Sequence, residues 1–243
     1  MALREELKIH GDFLFRYRSY FPLLLLVFGL AMYVLGKLTG NQESSIAYQL
    51  WLEDSAIFVS LLGLLIRIHA VGFSGKNTSG RNTSQGQIAD ELNTKGLYSI
   101  VRNPLYVGNY FMWLGIAMLT CNLWFISIFT LIFWIYYERI VFAEEEFLRK
   151  KFGDAYLEWT IRTPIFIPYK PKWQKSDSPF LWRKVLKREK NGFAALFLVF
   201  FIFDLLGAKI DTQQWLINKP WLLVMVIVSM LAYILIKLLK RRL

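Results

Sequence analysis

The chain has 243 residues, of which 55% are hydrophobic, and its formal net charge is +11. A mean hydropathy of +0.36 is too apolar for an ordinary soluble domain of this length, so a membrane protein is expected. The single cysteine, Cys121, excludes an intramolecular disulfide and a zinc site built from several cysteines, and His10 and His69 are too few and too far apart to suggest a metal site.

Apolar runs separated by short polar connectors predict membrane-spanning helices rather than a β-barrel. Six candidate spans occur in chain order, at 21–35, 57–66 with a start near 45, 105–119, 123–141, 193–206 and 221–236. The predicted fold class is therefore all-α, a polytopic membrane helical bundle with about five to six transmembrane helices.

The charged N-terminal arm precedes the first run, and no small-residue cleavage site follows that run. We therefore expect a retained helix and not a signal peptide. If all six runs cross the membrane, one side collects every Lys and Arg except Lys37, Arg139, Lys209 and Lys219. The positive-inside rule then places both termini in the cytoplasm.

Residues 72–95 are rich in Gly, Ser, Asn and Thr and predict a cytoplasmic loop. The loop runs into a helical hairpin whose turn is at 121–122. Two glycosylation triplets begin at Asn77 and Asn82, but a cytoplasmic location makes them chance matches. The basic residues of 183–190 and of the C-terminal tail could bind anionic headgroups or simply set the topology.

A first constellation of polar and aromatic residues, at 94–108, lies where the third apolar run begins. Pro104 fits the first turn of a helix, and Asn103 is then placed to cap it. The free backbone N–H groups of that helix end, with Arg102 beside them, suit an anionic group such as the carboxylate of a cofactor. The same residues also fit an ordinary capped membrane helix with Arg102 and Tyr106 at the interface.

A second constellation follows the fourth run, at 139–168. On a continuous helix, Glu145 lies on one apolar stripe with Leu148, Phe152, Tyr156 and Trp159. A carboxylate on a buried face needs a partner, which favours a functional interpretation. Glu144 and Glu146 point about 100° to either side and could simply be solvated, and the spacing does not pair Arg139 with Glu144 or Glu145. An interfacial helix with ordinary charges is the alternative.

Together the two constellations resemble the isoprenylcysteine carboxyl methyltransferase family and its relatives among phospholipid methyltransferases. The likeness covers about 85–168. The matching residues are Gly96, Tyr98, Arg102, Pro104, Tyr106 and Gly108 in the first part, and Glu144, Glu145, Leu148, Phe152, Gly153, Tyr156, Trp159, Thr163, Pro164, Ile167 and Pro168 in the second.

The resemblance implies a membrane enzyme whose S-adenosylmethionine pocket faces the cytoplasm and which a lipid or lipidated substrate reaches from the bilayer, with no role for nucleic acid. It divides the chain into an N-terminal part with two membrane helices and the loop (1–84), a methyltransferase core (85–168), and a basic segment with C-terminal membrane helices (169–243). With Arg102 from the helix start, the implied cofactor-binding residues are Gln87, Asp90, Glu91, Leu92, Asn93, Tyr98, Asn103, Pro104, Leu105 and Tyr106. On the substrate side, the nearest matches are Arg139 and Glu144, with Glu145 a close competitor.

Two positions depart from the family pattern. Asn103 stands where the family has His, and Arg139 is one residue further from the Glu pair than expected. An Asn side chain can hydrogen-bond but cannot titrate. Beyond Pro168, the chain matches no pattern of this family.

The nature of the methyl acceptor follows from the local charges. Arg139 would hold a carboxylate or phosphate and repel an ammonium, which favours an anionic acceptor. The two Glu residues favour an amine acceptor instead. An NADPH-dependent membrane reductase of the sterol reductase type and a non-catalytic membrane interaction protein are the further alternatives.

Overall fold

A computed structural model describes residues 2–40, 46–75, 81–83, 86–169 and 172–239, and gives only the backbone for 46–50, 81–83 and 86–88. The triplet beginning at Asn77 and the last residues of the basic tail lie outside the described residues. The helices are α1 (Leu3–Tyr17), α2 (Phe21–Leu38), α3 (Ile46–Gly72), α4 (Pro104–Met118), α5 (Leu123–Phe152), α6 (Asp154–Arg162), α7 (Trp182–Thr212) and α8 (Pro220–Leu238).

Strands are confined, in the part of the chain that the structure describes, to one short antiparallel hairpin. Its strands, β1 (Arg81–Thr83) and β2 (Gly86–Ile88), pair Asn82 with Gln87. A 3-10 turn at Gly96–Ser99 connects the loop to α4. The predicted all-α membrane bundle is confirmed.

Five helices are long and apolar enough to cross a membrane among the described residues. The segments are Phe21–Leu38, Trp51–Gly72, Leu123–Phe152, Trp182–Thr212 and Pro220–Leu238. The remaining predicted run, 105–119, corresponds to α4, which has 15 residues. At 1.5 Å per residue, α4 is about 22 Å long, shorter than a hydrocarbon core of about 30 Å.

Helix α4 lies between two hydrophobic cores. One core joins α2, α3, α4, α7 and α8, and its buried residues include Tyr33, Leu64, Ile116, Phe200 and Leu222. The other joins α1, α4 and α5, and its buried residues include Phe15, Ala117, Phe133, Tyr137 and Ile140. Helix α4 is therefore packed between elements from both halves of the chain.

Helices α3 and α4 approach closely at two glycines. A Cβ atom at Gly108 would lie 2.5 Å from Cγ of Arg67 and 2.8 Å from the carbonyl oxygen of Gly63. Small residues allow such backbone contact between membrane helices. The contact brings Arg67, from within an apolar helix, beside the first turns of α4.

The predicted hairpin turn at 121–122 is confirmed. Cys121 has a positive φ of 51°. The side chain of Asn122 accepts a hydrogen bond from the Phe125 backbone N–H at 2.9 Å, which caps the start of α5.

The single apolar stripe predicted for 145–159 is wrong. Gly153, with a φ of 53°, separates α5 from α6. The chain changes direction there, so Glu145 lies on one helix, whereas Tyr156 and Trp159 lie on the next. A pattern extrapolated at 100° per residue fails at this break.

Candidate active site

The residues that follow α6 hold the segment that leads into α4. The Arg102 backbone N–H donates to the carbonyl of Pro164 at 2.8 Å. The Asn103 backbone N–H donates to the carbonyl of Ile165 at 3.3 Å. The indole Nε1 of Trp159 donates to the carbonyl of Tyr98, 61 residues away, at 3.1 Å. The two constellations therefore form one structural unit.

A cavity of about 680 Å³ lies beside this unit. Its volume is in the range typical of small-molecule sites. The lining comes from the α1–α2 turn, from α3 to α5, and from α6 and α7. Its charged and polar side chains are Arg16, Arg18, Ser19, Arg67, Asn93, Tyr98, Arg102, Asn103, Tyr106, Asn109, Tyr137, Glu144, Trp159, Arg188 and Glu189.

At one end of the cavity, Tyr106 of α4 meets Glu144 of α5. The Tyr106 hydroxyl donates to Oε1 of Glu144 at 2.9 Å. Arg18, between α1 and α2, lies 3.8 Å from the same carboxylate oxygen and 3.5 Å from the Tyr106 hydroxyl. These three side chains form a polar cluster made from three separate parts of the chain.

A second cluster centres on Arg67 of α3. Its Nε and one terminal nitrogen donate to the two carboxylate oxygens of Glu189, each at 2.8 Å, and its other terminal nitrogen donates to Oδ1 of Asn109 at 2.5 Å. The Asn109 amide also donates to the Tyr137 hydroxyl at 3.3 Å. Because Glu189 is only 4% exposed, this two-point pairing satisfies a buried carboxylate and ties α7 to the cavity.

Glu145 is not among the residues that line the cavity, and it contacts Arg102, which is. Oε1 of Glu145 lies 3.1 Å from Nε of Arg102, an ion-pair contact whose N–H does not point at the oxygen. Tyr156 lies beside this pair. Burial, and then the charge of Glu145, raise the pKa of the Tyr156 hydroxyl above its usual range.

Asn103 begins α4 as predicted, but its side chain makes no capping hydrogen bond. Its Nδ2 atom is buried without a hydrogen-bond partner among the described residues, and the residue lines the cavity. A buried donor without a partner is costly. The position therefore suits an acceptor atom of a bound molecule.

Tyr98 adds a neutral donor to the cavity wall. Burial, and then the negative charge of Glu144, raise the pKa of the Tyr98 hydroxyl, while Arg188 and Arg67 lower it by smaller amounts. The phenol therefore stays protonated at neutral pH and can donate a hydrogen bond.

The cavity brings together more than half of the residues singled out from the sequence: Leu92, Asn93, Tyr98, Arg102, Asn103, Leu105, Tyr106 and Glu144. Asp90 and Glu91 are exposed, and Pro104 is buried. Gln87 lies in β2, where the structure describes only the backbone.

Arg139 lies outside the cavity lining, on the side of α5 that contacts α1. Its carbonyl oxygen would be 2.3 Å from a Cβ atom at Gly11. Glu144 lines the cavity, whereas the sequence allowed a solvated side chain at this position. The Glu144 side chain is 16% exposed and that of Glu145 is 29% exposed. Glu144 is the more buried because α1 covers this side of α5, and a helical wheel of α5 alone does not include that contact.

Sequence reasoning missed a second group of cavity residues, none of which belongs to the two constellations: Arg16, Arg18, Ser19, Pro22, Arg67, Val71, Ala89, Asn109, Trp113, Tyr137, Arg188 and Glu189. One of them carried a usable signal. Arg67 interrupts an apolar helix, and an intramembrane charge usually has a partner and a function.

Residues 53–155 match the model of the phospholipid methyltransferase family. Among curated relatives, the protein-S-isoprenylcysteine O-methyltransferase of Schizosaccharomyces pombe is 33% identical over 120 residues, which cover 49% of this chain and 50% of the relative. The protein-S-isoprenylcysteine O-methyltransferase B of Arabidopsis thaliana is 25% identical over 119 residues, covering 49% and 60%. The Xenopus laevis protein-S-isoprenylcysteine O-methyltransferase is 29% identical over 119 residues, covering 49% and 41%.

These matches confirm the resemblance to the isoprenylcysteine carboxyl methyltransferase and phospholipid methyltransferase family. The aligned regions span about half the length of these curated relatives. The region that matches the family model includes most of α3 and all of α4 and α5, but neither the α1–α2 turn nor α7.

Proposed function

Because residues 53–155 match the phospholipid methyltransferase family, we propose that this chain is an integral membrane methyltransferase. It uses S-adenosylmethionine and methylates a lipid or lipidated acceptor at a carboxylate or phosphate oxygen. The observation that carries the proposal is the cavity, where residues of both family constellations meet although they are far apart in the sequence.

The side chains at the start of α4 fit the cofactor. Asn103 offers a buried amide donor, and Arg102 offers positive charge beside it. Asn93 and Tyr98 add polar contacts on the same wall. When bound, S-adenosylmethionine supplies an electrophilic methyl group whose bond to sulfur breaks as the acceptor oxygen bonds to carbon, the electron pair staying on sulfur.

The protein residues act mainly by binding, orienting and excluding water. Alignment of two reactants in a shielded site supplies on the order of 7–11 kcal/mol of barrier reduction. An ionised carboxylate or phosphate needs no general base, so Asn103 in place of a titrating His is compatible with this reaction.

The charges of the cavity favour an anionic acceptor. Five Arg side chains line it against two carboxylates, and one of those carboxylates, Glu189, is already paired with Arg67. An excess of positive charge attracts anions and disfavours an ammonium. The second candidate is a phospholipid amine, which the Glu144 carboxylate at the cavity wall would favour.

The test is transfer of a deuterated methyl group. The purified full chain in lipid nanodiscs is incubated with methyl-deuterated S-adenosylmethionine and with membrane extracts, and lipids and lipidated peptides are analysed by mass spectrometry. We expect one labelled methyl per acceptor, bonded to oxygen. Mild base should release it from a carboxyl ester, whereas a methyl on a phosphate should resist mild base and be located on the phosphate by fragmentation. A base-stable label on nitrogen would support the amine candidate. Cofactor binding without transfer to any acceptor would contradict the proposal.

A further inference from the structure

The end of α1 and the α1–α2 turn supply a wall of the cavity that lies outside the region matched by the family model. Arg16, Arg18, Ser19 and Pro22 all line the cavity, and they precede the matched region of 53–155. This part of the cavity wall therefore comes from the N-terminal arm.

Helix α1 is fixed against α5 by close backbone contact. A Cβ atom at Gly11 would lie 2.3 Å from the carbonyl oxygen of Arg139 and 2.7 Å from Cβ of Ala143. Phe15 is 3% exposed, and the Tyr136 hydroxyl donates to the carbonyl of Leu14 at 3.3 Å. The middle of α1 thus lies beside residues 139–143 of α5, and the end of α1 lies beside Tyr136.

Arg18 emerges from the end of α1 beside the polar cluster of Tyr106 and Glu144. Its guanidinium lies 4.2 Å from the centre of the Phe15 ring, which restricts its orientation. Its distances of 3.8 Å to Glu144 and 3.5 Å to Tyr106 are longer than a charge-assisted hydrogen bond of about 2.7–2.9 Å. A guanidinium presents its N–H donors in a planar fork, a geometry that matches the two oxygens of a carboxylate or phosphate.

Two other arginines that line the cavity pair with carboxylates other than Glu144. Arg67 makes a two-point pair with Glu189, and Arg102 is 3.1 Å from Glu145. Arg139, the residue that the family pattern favours, lies outside the cavity lining. Arg18 contacts both members of the Tyr106–Glu144 pair.

We infer that Arg18 binds the anionic group of the methyl acceptor and determines the preference for anionic over amine acceptors, with Glu144 and Phe15 as positioning residues. This inference rests on the proposed methyltransferase function. It assigns acceptor recognition to the N-terminal arm, whereas the start of α4 serves the cofactor.

The test compares Arg18→Ala, Arg18→Lys and Arg139→Ala with the wild type, with Arg149→Ala as a control on the exposed part of α5. The full chain is assayed in phosphatidylcholine nanodiscs with two acceptor probes, an S-prenylcysteine with a free carboxylate and phosphatidylethanolamine. Binding of S-adenosylmethionine and of the S-prenylcysteine alone is measured by calorimetry.

For Arg18→Ala we expect the KM and Kd for S-prenylcysteine to rise on the order of 30-fold or more, because a charged contact to a partner is lost. The Kd for S-adenosylmethionine should stay within about twofold, and relative use of phosphatidylethanolamine should rise. Arg18→Lys should recover part of the loss, since it keeps the charge without the planar fork.

Two results distinguish a failure of the Arg18 inference from a failure of the proposed methyltransferase function. If the wild type methylates the S-prenylcysteine and Arg18→Ala does so equally well, or if Arg139→Ala alone shows the acceptor defect, the role of Arg18 is overturned while the proposed function stands. If the wild type methylates neither probe nor any lipid of the extract, the proposed function is overturned, and the inference with it.

Discussion

Asn103 shows how a single residue can fit a site by position and depart from the family by chemistry. The sequence placed it as the N-cap residue before the first turn of α4, and the structure confirms that position, although its side chain makes no capping hydrogen bond. The sequence could not show that its amide nitrogen would be buried without a hydrogen-bond partner among the described residues, because that burial depends on tertiary packing.

We predict that Asn103→Ala weakens S-adenosylmethionine binding and leaves the fold intact. Loss of a hydrogen bond to a charged group costs about 1.5–3 kcal/mol, or roughly 10- to 100-fold in affinity. Calorimetry on the purified chain measures the change. Asn103→His should be tolerated, and Asn122→Ala, which removes the α5 cap, should lower thermal stability but not affinity. Unchanged affinity in a well-folded Asn103→Ala protein would contradict a cofactor role.

The adjacent residues Glu144 and Glu145 have different neighbours, and we therefore expect different roles for them. Glu144→Gln should lower acceptor affinity and turnover by about tenfold or more, because the amide removes the charge that positions Arg18. Glu145→Gln should mainly lower thermal stability, because the Arg102 pair is weakened. Steady-state kinetics and melting curves distinguish the two effects. Glu146→Gln is the matched control, because the Glu146 carboxylate pairs with the exposed Arg4. A loss of turnover in Glu145→Gln but not in Glu144→Gln would show that Glu145 is the carboxylate that serves the acceptor.

At the scale of elements, helix α1 acts through a contact far from the chemistry. The sequence predicted only a charged N-terminal arm at α1. It could not predict that α1 packs against α5, because a charged segment carries no information on which helix it contacts. Gly11 is the residue that permits its approach to α5. The same contact brings the α1–α2 turn over Glu144, so the interface contributes to both stability and the site.

We predict that Gly11→Ala displaces α1 and reproduces part of the Arg18→Ala acceptor defect. The added Cβ would lie 2.3 Å from a backbone oxygen, so α1 must shift, at a cost of about 1–3 kcal/mol. Acceptor KM and melting temperature report the two effects. Gly29→Ala in α2 is the control, because its Cβ would meet only the Phe125 ring at 3.7 Å. Equal acceptor KM values for the two variants would show that α1 does not position Arg18.

At the scale of the whole molecule, hydrophobic run length predicted the helices well because membrane spans must satisfy their backbone internally. The same reasoning could not locate the cavity's full lining. The pairing of Arg67 with Glu189 joins α3 to α7 across 122 residues of sequence, and it depends on the approach of α3 to α4 at Gly63 and Gly108. Local periodicity contains no information on such contacts, whereas the family resemblance supplied those within 85–168.

We predict that both termini and the cavity opening face the cytoplasm. This orientation requires that the 15-residue helix α4 crosses the membrane as one arm of the α4–α5 hairpin, in addition to the five longer helices. With six crossings, most of the Lys and Arg collect on one side of the membrane. Replacing the one native cysteine by Cys121→Ser gives a background for single-cysteine labelling. Lys175→Cys lies in the exposed segment between α6 and α7, and Gln214→Cys lies in the exposed connection between α7 and α8. An impermeant maleimide added to intact cells should label Gln214→Cys and should label Lys175→Cys only after lysis. The two sites lie at opposite ends of α7, which is long and apolar enough to span, so each is the control for the other. The reverse labelling pattern would place the cavity on the outer face, where intracellular S-adenosylmethionine could not reach it, and would count against both the orientation and the methyltransferase proposal.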